Sequence, residues 1–218
     1  IKRAQSEMID KFVQSMADAM EGVRDGSTVL IAGFGAIGQP NHLIDGLIEQ
    51  GATDLTVVAN NPGVGRTGLA RLLDVGRVRK ILCSFPRSSD PVVFVELYRE
   101  GKIELEIVPQ GTMAERIRAA GAGIPAFYTA TSVGTKLAHG KEQREIDGRT
   151  YVLEKAIHGD LALVEAWRAD RWGNLTYKQS ARNFNPVMAM AAELTVVQTQ
   201  HVVELGELDP EAIVTPGI

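Results

Sequence analysis

The sequence predicts an α/β fold: a mostly parallel open sheet with helices on both faces. Three observations predict it. Short apolar runs alternate with helical segments, the runs are apolar on both sides as doubly buried strands are, and a glycine-rich loop follows the first of them. The 218 residues, 44% hydrophobic with few aromatics, read as one domain spanning 1–218 with a substantial core.

Each element has its own signal. Ile9, Phe12, Val13, Met16, Ala19 and Met20 fall at helical spacing within residues 8–22, and Gly22 ends that amphipathic helix. Asp25-Gly26-Ser27 turns into the buried strand Thr28-Val29-Leu30-Ile31-Ala32, after which Gly33 to Gly38 form the glycine-rich loop. Pro40 suits the first turn of a helix running to Gln50, with Gly51 as its C-terminal cap. Strands are expected at 55–59, 78–83 and 103–108, and helices at 68–73, 91–99 and 112–120, an alternation that implies right-handed crossovers. Beyond Gly121 the pattern changes. Residues 145–153 read as a hairpin turning at Asp147-Gly148, within a polar insertion near 136–155, and 161–166 and 194–198 supply two more strands. No internal repeat, low-complexity tract or long linker is expected.

Composition excludes several function classes. A net charge of −4, from 27 acidic and 23 basic residues intermixed, leaves no basic cluster to follow a nucleic-acid backbone. No apolar run is long enough to span a bilayer, and Ile1-Lys2-Arg3-Ala4-Gln5 lacks a signal peptide's apolar stretch, so a soluble cytoplasmic protein is expected. Cys83, the single cysteine, reads as a buried structural thiol in a reducing compartment. His42, His139, His158 and His201 are scattered without ligand spacing, so no metal site is expected.

Gly33-Phe34-Gly35-Ala36-Ile37-Gly38 matches G-x-G-x-x-G between a strand and a helix, the context of a dinucleotide fingerprint. An NAD-dependent oxidoreductase is therefore one reading. A ribose-binding Asp or Glu should then end the next strand, but that strand ends in Ala59-Asn60-Asn61-Pro62-Gly63, and Asp54 lies at its other end. Two side-chain amides suit a carboxylate or a developing oxyanion better than a ribose diol. The alternative is that they form an Asx-type turn before Pro62.

The segment from Asp25 through Gly33-Phe34-Gly35-Ala36-Ile37-Gly38-Gln39-Pro40 resembles the CoA-binding signature of family I CoA transferases, with Ala32 where that signature has Gly. The resemblance continues through Asn60-Asn61-Pro62-Gly63, Val108-Pro109-Gln110-Gly111-Thr112, Ala114-Glu115-Arg116-Ile117-Arg118, Asp170-Arg171-Trp172-Gly173-Asn174-Leu175 and Ser180-Ala181-Arg182-Asn183-Phe184. It implies a CoA-transferase-like fold, the first of two different subunits, and CoA contact at Ile31, Ala32, Gly33, Phe34, Gly35, Ala36, Ile37 and Gly38. It also implies catalytic contact at Asn60, Asn61 and Gln110. Gln110 has a plainer alternative, a loop glutamine bonding local backbone. No resident cofactor is implied, since CoA and acyl-CoA are substrates.

The family attacks an acyl-CoA with a glutamate that resembles a Glu-Asn-Gly segment, and no Glu-Asn-Gly occurs here. Glu49-Gln50-Gly51 and Glu115 are the nearest substitutes, one at a helix end and the other structural in the resemblance. A second, partner subunit that carries the nucleophile is therefore expected, in an α2β2 assembly. The stretch Cys83-Ser84-Phe85-Pro86-Arg87-Ser88-Ser89-Asp90 is similar to that of members acting on the dicarboxylate 3-oxoadipate, with acetoacetate the alternative acid. Arg87 would hold the remote carboxylate by paired charge-assisted hydrogen bonds, unless it merely pairs with Asp90 or caps the following helix.

Overall fold

In the computed structural model, which describes residues 9–217, the apolar runs become the inner strands of a parallel sheet. In chain order the elements are α1 (Met16–Ala19), β1 (Thr28–Ile31), α2 (Asn41–Gln50), β2 (Leu55–Val58), α3 (Leu69–Asp74), β3 (Val78–Cys83), α4 (Val92–Arg99), β4 (Glu104–Ile107) and α5 (Gln110–Gly121). There follow β5 (Ala126–Thr129), β6 (Gln143–Ile146), β7 (Arg149–Lys155), β8 (Gly159–Ala169), β9 (Leu175–Thr176), α6 (Asn185–Ala189) and β10 (Ala192–Val202). The large sheet has the order β10-β8-β1-β2-β3-β4, all neighbours parallel, with the short β9 antiparallel on β8. No helix among the described residues is long and apolar enough to cross a membrane.

Both faces of the sheet are covered, as continuous apolar strands require. Val29, Ile31, Val57, Ile81, Leu161 and Leu163 pack into one core with residues of α2, α3 and α4. Leu30, Ala32, Val58, Leu82, Ala162 and Val164 pack into the other with Met113 and Ile117 of α5 and Met188 of α6. β1 to β4 step outward in one direction, and the chain then returns to lay β8 on the opposite side of β1. Strand order thus reverses beside β1, and the carboxyl ends of β1 to β4 share one edge, where open α/β sheets bind ligands.

Three expectations need correction. The helix at 8–22 shrinks to Met16–Ala19, and residue 8 lies outside the described residues. Local bonds compete with helix upstream: Asp10 accepts from the Phe12 N–H, Lys11 N–H bonds Arg171 O at 2.9 Å, and Ser15 Oγ caps Asp18 N at 3.1 Å. Ile9, Phe12 and Val13 are left exposed. The hairpin turns at Asp147 and Gly148 as expected, both with positive φ of 51° and 73°, but its strands reach beyond 145–153, from Gln143 to Lys155. β5, which has no clear signal in the sequence, pairs with β7 to complete a three-stranded antiparallel sheet. Finally, β8 and β10 are 11 residues each, longer than the runs at 161–166 and 194–198, because they pair with each other along nearly their whole length.

An ion-pair chain joins the two sheets through α5. Lys80 meets Glu106 at 2.7 Å, Arg116 lies 3.5 Å from Glu106 and 3.8 Å from Glu154, and Lys141 meets Glu154 at 2.5 Å. Arg116 Nε also donates to Lys155 O at 2.7 Å. Burial pushes the Glu106 carboxyl up, but the Lys80 hydrogen bond and charge, with Arg116 added, outweigh it and hold the group below its ordinary 4.5. A carboxyl lowered in the folded state adds stability that is complete above the unfolded value and is lost as pH falls through the folded one. The melting-temperature advantage of wild type over Glu106→Gln is thus expected at neutral pH and should narrow progressively as pH falls below the ordinary carboxyl value of 4.5. Thermal melts at a series of pH values check this, and a gap independent of pH would contradict it.

Candidate active site

A cavity of about 410 Å³ opens where β1 to β4 end. Phe34 and Gly35 come from the loop after β1, Asn60, Asn61 and Val64 from that after β2, Ser84, Phe85, Ser88 and Ser89 from that after β3, and Gln110 from the first turn of α5. Parallel pairing sets these loops side by side, because every crossover returns the chain to the same starting edge.

Asn60 is the hub. Its carbonyl accepts the N–H groups of Ser84 at 3.1 Å and Phe85 at 3.0 Å, which ties the ends of β2 and β3 together. Its side-chain Oδ1 accepts Ser84 Oγ at 2.7 Å and Gln110 Nε2 at 2.8 Å. With the amide oxygen so engaged and the residue 4% exposed, the Nδ2 donor is oriented and has no partner among the described residues. Gln110 therefore bonds the Asn60 side chain rather than local backbone, and it sits at the N-terminus of the twelve-residue α5, whose positive end favours negative charge. Asn61 does make the Asx-type turn: its Oδ1 accepts Gly63 N at 2.9 Å, while the residue still lines the cavity.

The glycine-rich loop differs from a dinucleotide fingerprint. Phe34 and Ile37 exchange backbone bonds of 3.0 and 3.2 Å, closing a tight turn with both side chains exposed, and α2 begins only at Asn41. Of the eight residues expected at CoA, Phe34 and Gly35 reach this cavity. Ile31 and Ala32 point into the two cores, where the Ala32 methyl is packed at 1% exposure. Ile37 faces a smaller neighbouring hollow of about 240 Å³. Asp54 stands before β2 and pairs with Arg79 at 3.1 Å, away from this edge.

A second loop of the same kind corrects the expectation of no repeat. Gly63-Val64-Gly65-Arg66-Thr67-Gly68 follows β2 as Gly33 to Gly38 follow β1, with the same bridge, Val64 to Thr67. Its signal in the sequence is another G-x-G-x-x-G behind a buried strand. Gln39 joins the two loops: its Oε1 accepts Leu69 N at 3.4 Å, and a methyl on Gly68 would collide with that oxygen. Ser88 Oγ to Gly63 O at 2.6 Å and Gly65 N to Asp90 O at 2.8 Å fasten the loop after β3 to the same unit.

The remaining candidates fall outside the cavity. Arg87 is exposed on the loop that supplies Phe85, Ser88 and Ser89, is not part of the lining, and has no ion pair with Asp90 or another described residue. Cys83 is buried, and burial pushes its thiol up to about 12 against a hydrogen bond from Phe85, which makes it inert. Glu49 lies in the last turn of α2, and Glu115 pairs with Arg118 at 2.8 Å; neither lines the cavity. Among the described residues that line it, none is acidic. The site thus offers oriented hydrogen-bond donors and apolar walls without a nucleophilic carboxylate. The Asp170 to Asn174 segment is a turn, Asp170 accepting Trp172 N and Asn174 N at 3.0 and 3.1 Å. Among the described residues no group of three or more His, Cys, Asp or Glu is placed to hold a metal ion.

Known proteins match this chain in sequence and in fold. The family described as Coenzyme A transferase matches residues 13–218. The chain is 63% identical to the first subunit of 3-oxoadipate CoA-transferase from Pseudomonas putida, over 97% of this chain and 91% of the relative. It is 50% identical to the first subunit of a probable succinyl-CoA:3-ketoacid coenzyme A transferase from Bacillus subtilis, over 95% and 87%. Among solved structures, glutaconate coenzyme A-transferase of Acidaminococcus fermentans superposes with a TM-score of 0.80 at 19% identity, over 94% of this chain and 72% of that one. The parallel sheet, the loops at its carboxyl edge and the matched sequence converge on one conclusion: the chain belongs to the coenzyme A transferase family.

Proposed function

We propose that this chain is the first subunit of a soluble, cytoplasmic two-subunit enzyme that moves CoA from succinyl-CoA to 3-oxoadipate, with a second, partner subunit supplying the nucleophilic glutamate in an α2β2 assembly. The observation behind it is a cavity with oriented amide donors at Asn60, Asn61 and Gln110 and no acidic residue in its lining. In this reading the partner's carboxylate attacks the donor thioester carbonyl and releases CoA thiolate, leaving a mixed anhydride. The thiolate then attacks the glutamyl carbonyl, freeing the donor acid and forming a glutamyl thioester; the acceptor carboxylate reverses both steps. Each addition places negative charge on a carbonyl oxygen, which Asn60 Nδ2 and the Gln110 amide would stabilise. Phe34, Val64 and Phe85 would keep water from the anhydride.

Co-expression with a partner chain containing Glu-Asn-Gly should yield transfer from succinyl-CoA, and the chain alone should yield none. Turnover by the isolated chain at a normal rate would sink the proposal.

Arg87 sets the acceptor in this reading. Arg87→Ala is expected to lower kcat/KM for 3-oxoadipate by roughly 10- to 100-fold while leaving acetoacetate within about twofold. A second reading, acetoacetate as the natural acceptor, draws on the position of Arg87 outside the lining and on the relative named for 3-ketoacids. Equal losses for both acids in the same steady-state assay would favour it.

A further inference from the structure

We infer that Asn183 and Asn185 are positioning residues of the glycine-rich loop, bracing it from the side away from substrate. Asn183 Nδ2 donates to Ile37 O at 3.1 Å and to Ser180 O at 2.9 Å, and its Oδ1 accepts Phe184 N at 2.6 Å. Asn185 Nδ2 donates to Gly38 O at 3.1 Å and to Ala181 O at 2.8 Å, and its Oδ1 accepts Glu165 N, on β8, at 2.7 Å. Asn185 is 0% exposed, beside Phe184 and Met188 of the second core. An amide so buried is unfavourable unless fully bonded, and an apolar residue would serve the packing of α6 as well. What an apolar residue could not do is hold the Gly38 carbonyl and the β8 backbone at once.

The approach is close enough to need glycine. A methyl on Gly38, whose φ is +66°, would lie 2.8 Å from Ala181 O and 2.9 Å from Asn183 Nδ2. Because the peptide is planar and trans, fixing the carbonyls of Ile37 and Gly38 toward the 181–185 segment turns the N–H groups of Gly38 and Gln39 the opposite way. Ile37 O also accepts Phe34 N, so the closure of the turn and the brace meet at one atom. The catalytic part of this inference rests on the transferase reading above, and the bracing part does not.

The test uses the full chain, assembled with its partner, and two variants. Asn183→Asp keeps the acceptor for Phe184 N and removes both donors; Asn185→Asp keeps the acceptor for Glu165 N and removes its donors. Peptide-level hydrogen exchange over residues 33–39 is expected to quicken by roughly tenfold or more in each, with β1 unchanged. kcat should fall by about tenfold or more with the acceptor-acid KM little moved, as misplacement of a reacting-site loop predicts. Exchange that stays at the wild-type rate in the Asn183→Asp variant, or that rises equally across the whole sheet, overturns the brace. Faster local exchange with unchanged kcat overturns its link to the reaction. Should the wild-type pair transfer no CoA, the functional reading fails while the exchange comparison still judges the brace.

Discussion

Asn60→Asp in the assembled enzyme is expected to cut kcat by about 100- to 1000-fold with little change in melting temperature. The substitution is isosteric, and a carboxylate oxygen still accepts Ser84 Oγ and Gln110 Nε2, so the joint between β2, β3 and α5 survives. What is lost is the Nδ2 donor, replaced by an oxygen that repels both a substrate carboxylate and a developing oxyanion. Loss of one such donor is the basis of the magnitude. Steady-state kinetics beside a thermal melt separate the two effects: a comparable fall in stability would make Asn60 a structural residue, and an unchanged kcat would remove it from the chemistry.

The second large effect is on stability. Lys141→Met is expected to cost about 3 kcal/mol or more, because it leaves Glu154 buried with only the more distant Arg116 as partner. Glu154 is 2% exposed, so water cannot replace the lost ammonium. The double variant Lys141→Met with Glu154→Leu should recover much of the loss, since a buried pair replaced whole by apolar groups is often neutral. Chemical denaturation of wild type and the two variants checks both statements, and a single substitution costing under about 1 kcal/mol would show the pair to be solvent-screened.

Legibility in the sequence follows locality. Strands β1, β2 and β3, buried on both faces, announce themselves by apolar runs, and the turn at Asp147-Gly148 by its residue types. β5 does not, because Ala126–Thr129 is a short, half-buried strand whose meaning lies in its partner β7. The N-terminal helix looks longer in the sequence than it is, because apolar spacing at Ile9, Phe12 and Val13 says nothing of Asp10 and Ser15 competing for the same backbone. At the site, Asn60, Asn61 and Gln110 stand out as residues, yet the bond between Asn60 and Gln110 joins the loop after β2 to the first turn of α5, and no spacing rule encodes it. Ser84 carries no signal of its own for the same reason. The glycine pattern after β2 is legible as a repeat of the one after β1, but Asn60-Asn61-Pro62 also reads as a turn, and that simpler local account masks it.

The tie through Gln39 between the two glycine loops has a mechanical consequence. With Leu69 N held by Gln39, Gly63 by Ser88, and Asn60 by Ser84 and Gln110, the whole rim is one rigid anvil. In the two-subunit proposal, gates that admit bulky thioesters and let free acids escape are expected on the partner, and mutations that alter the tempo of that traffic should map there.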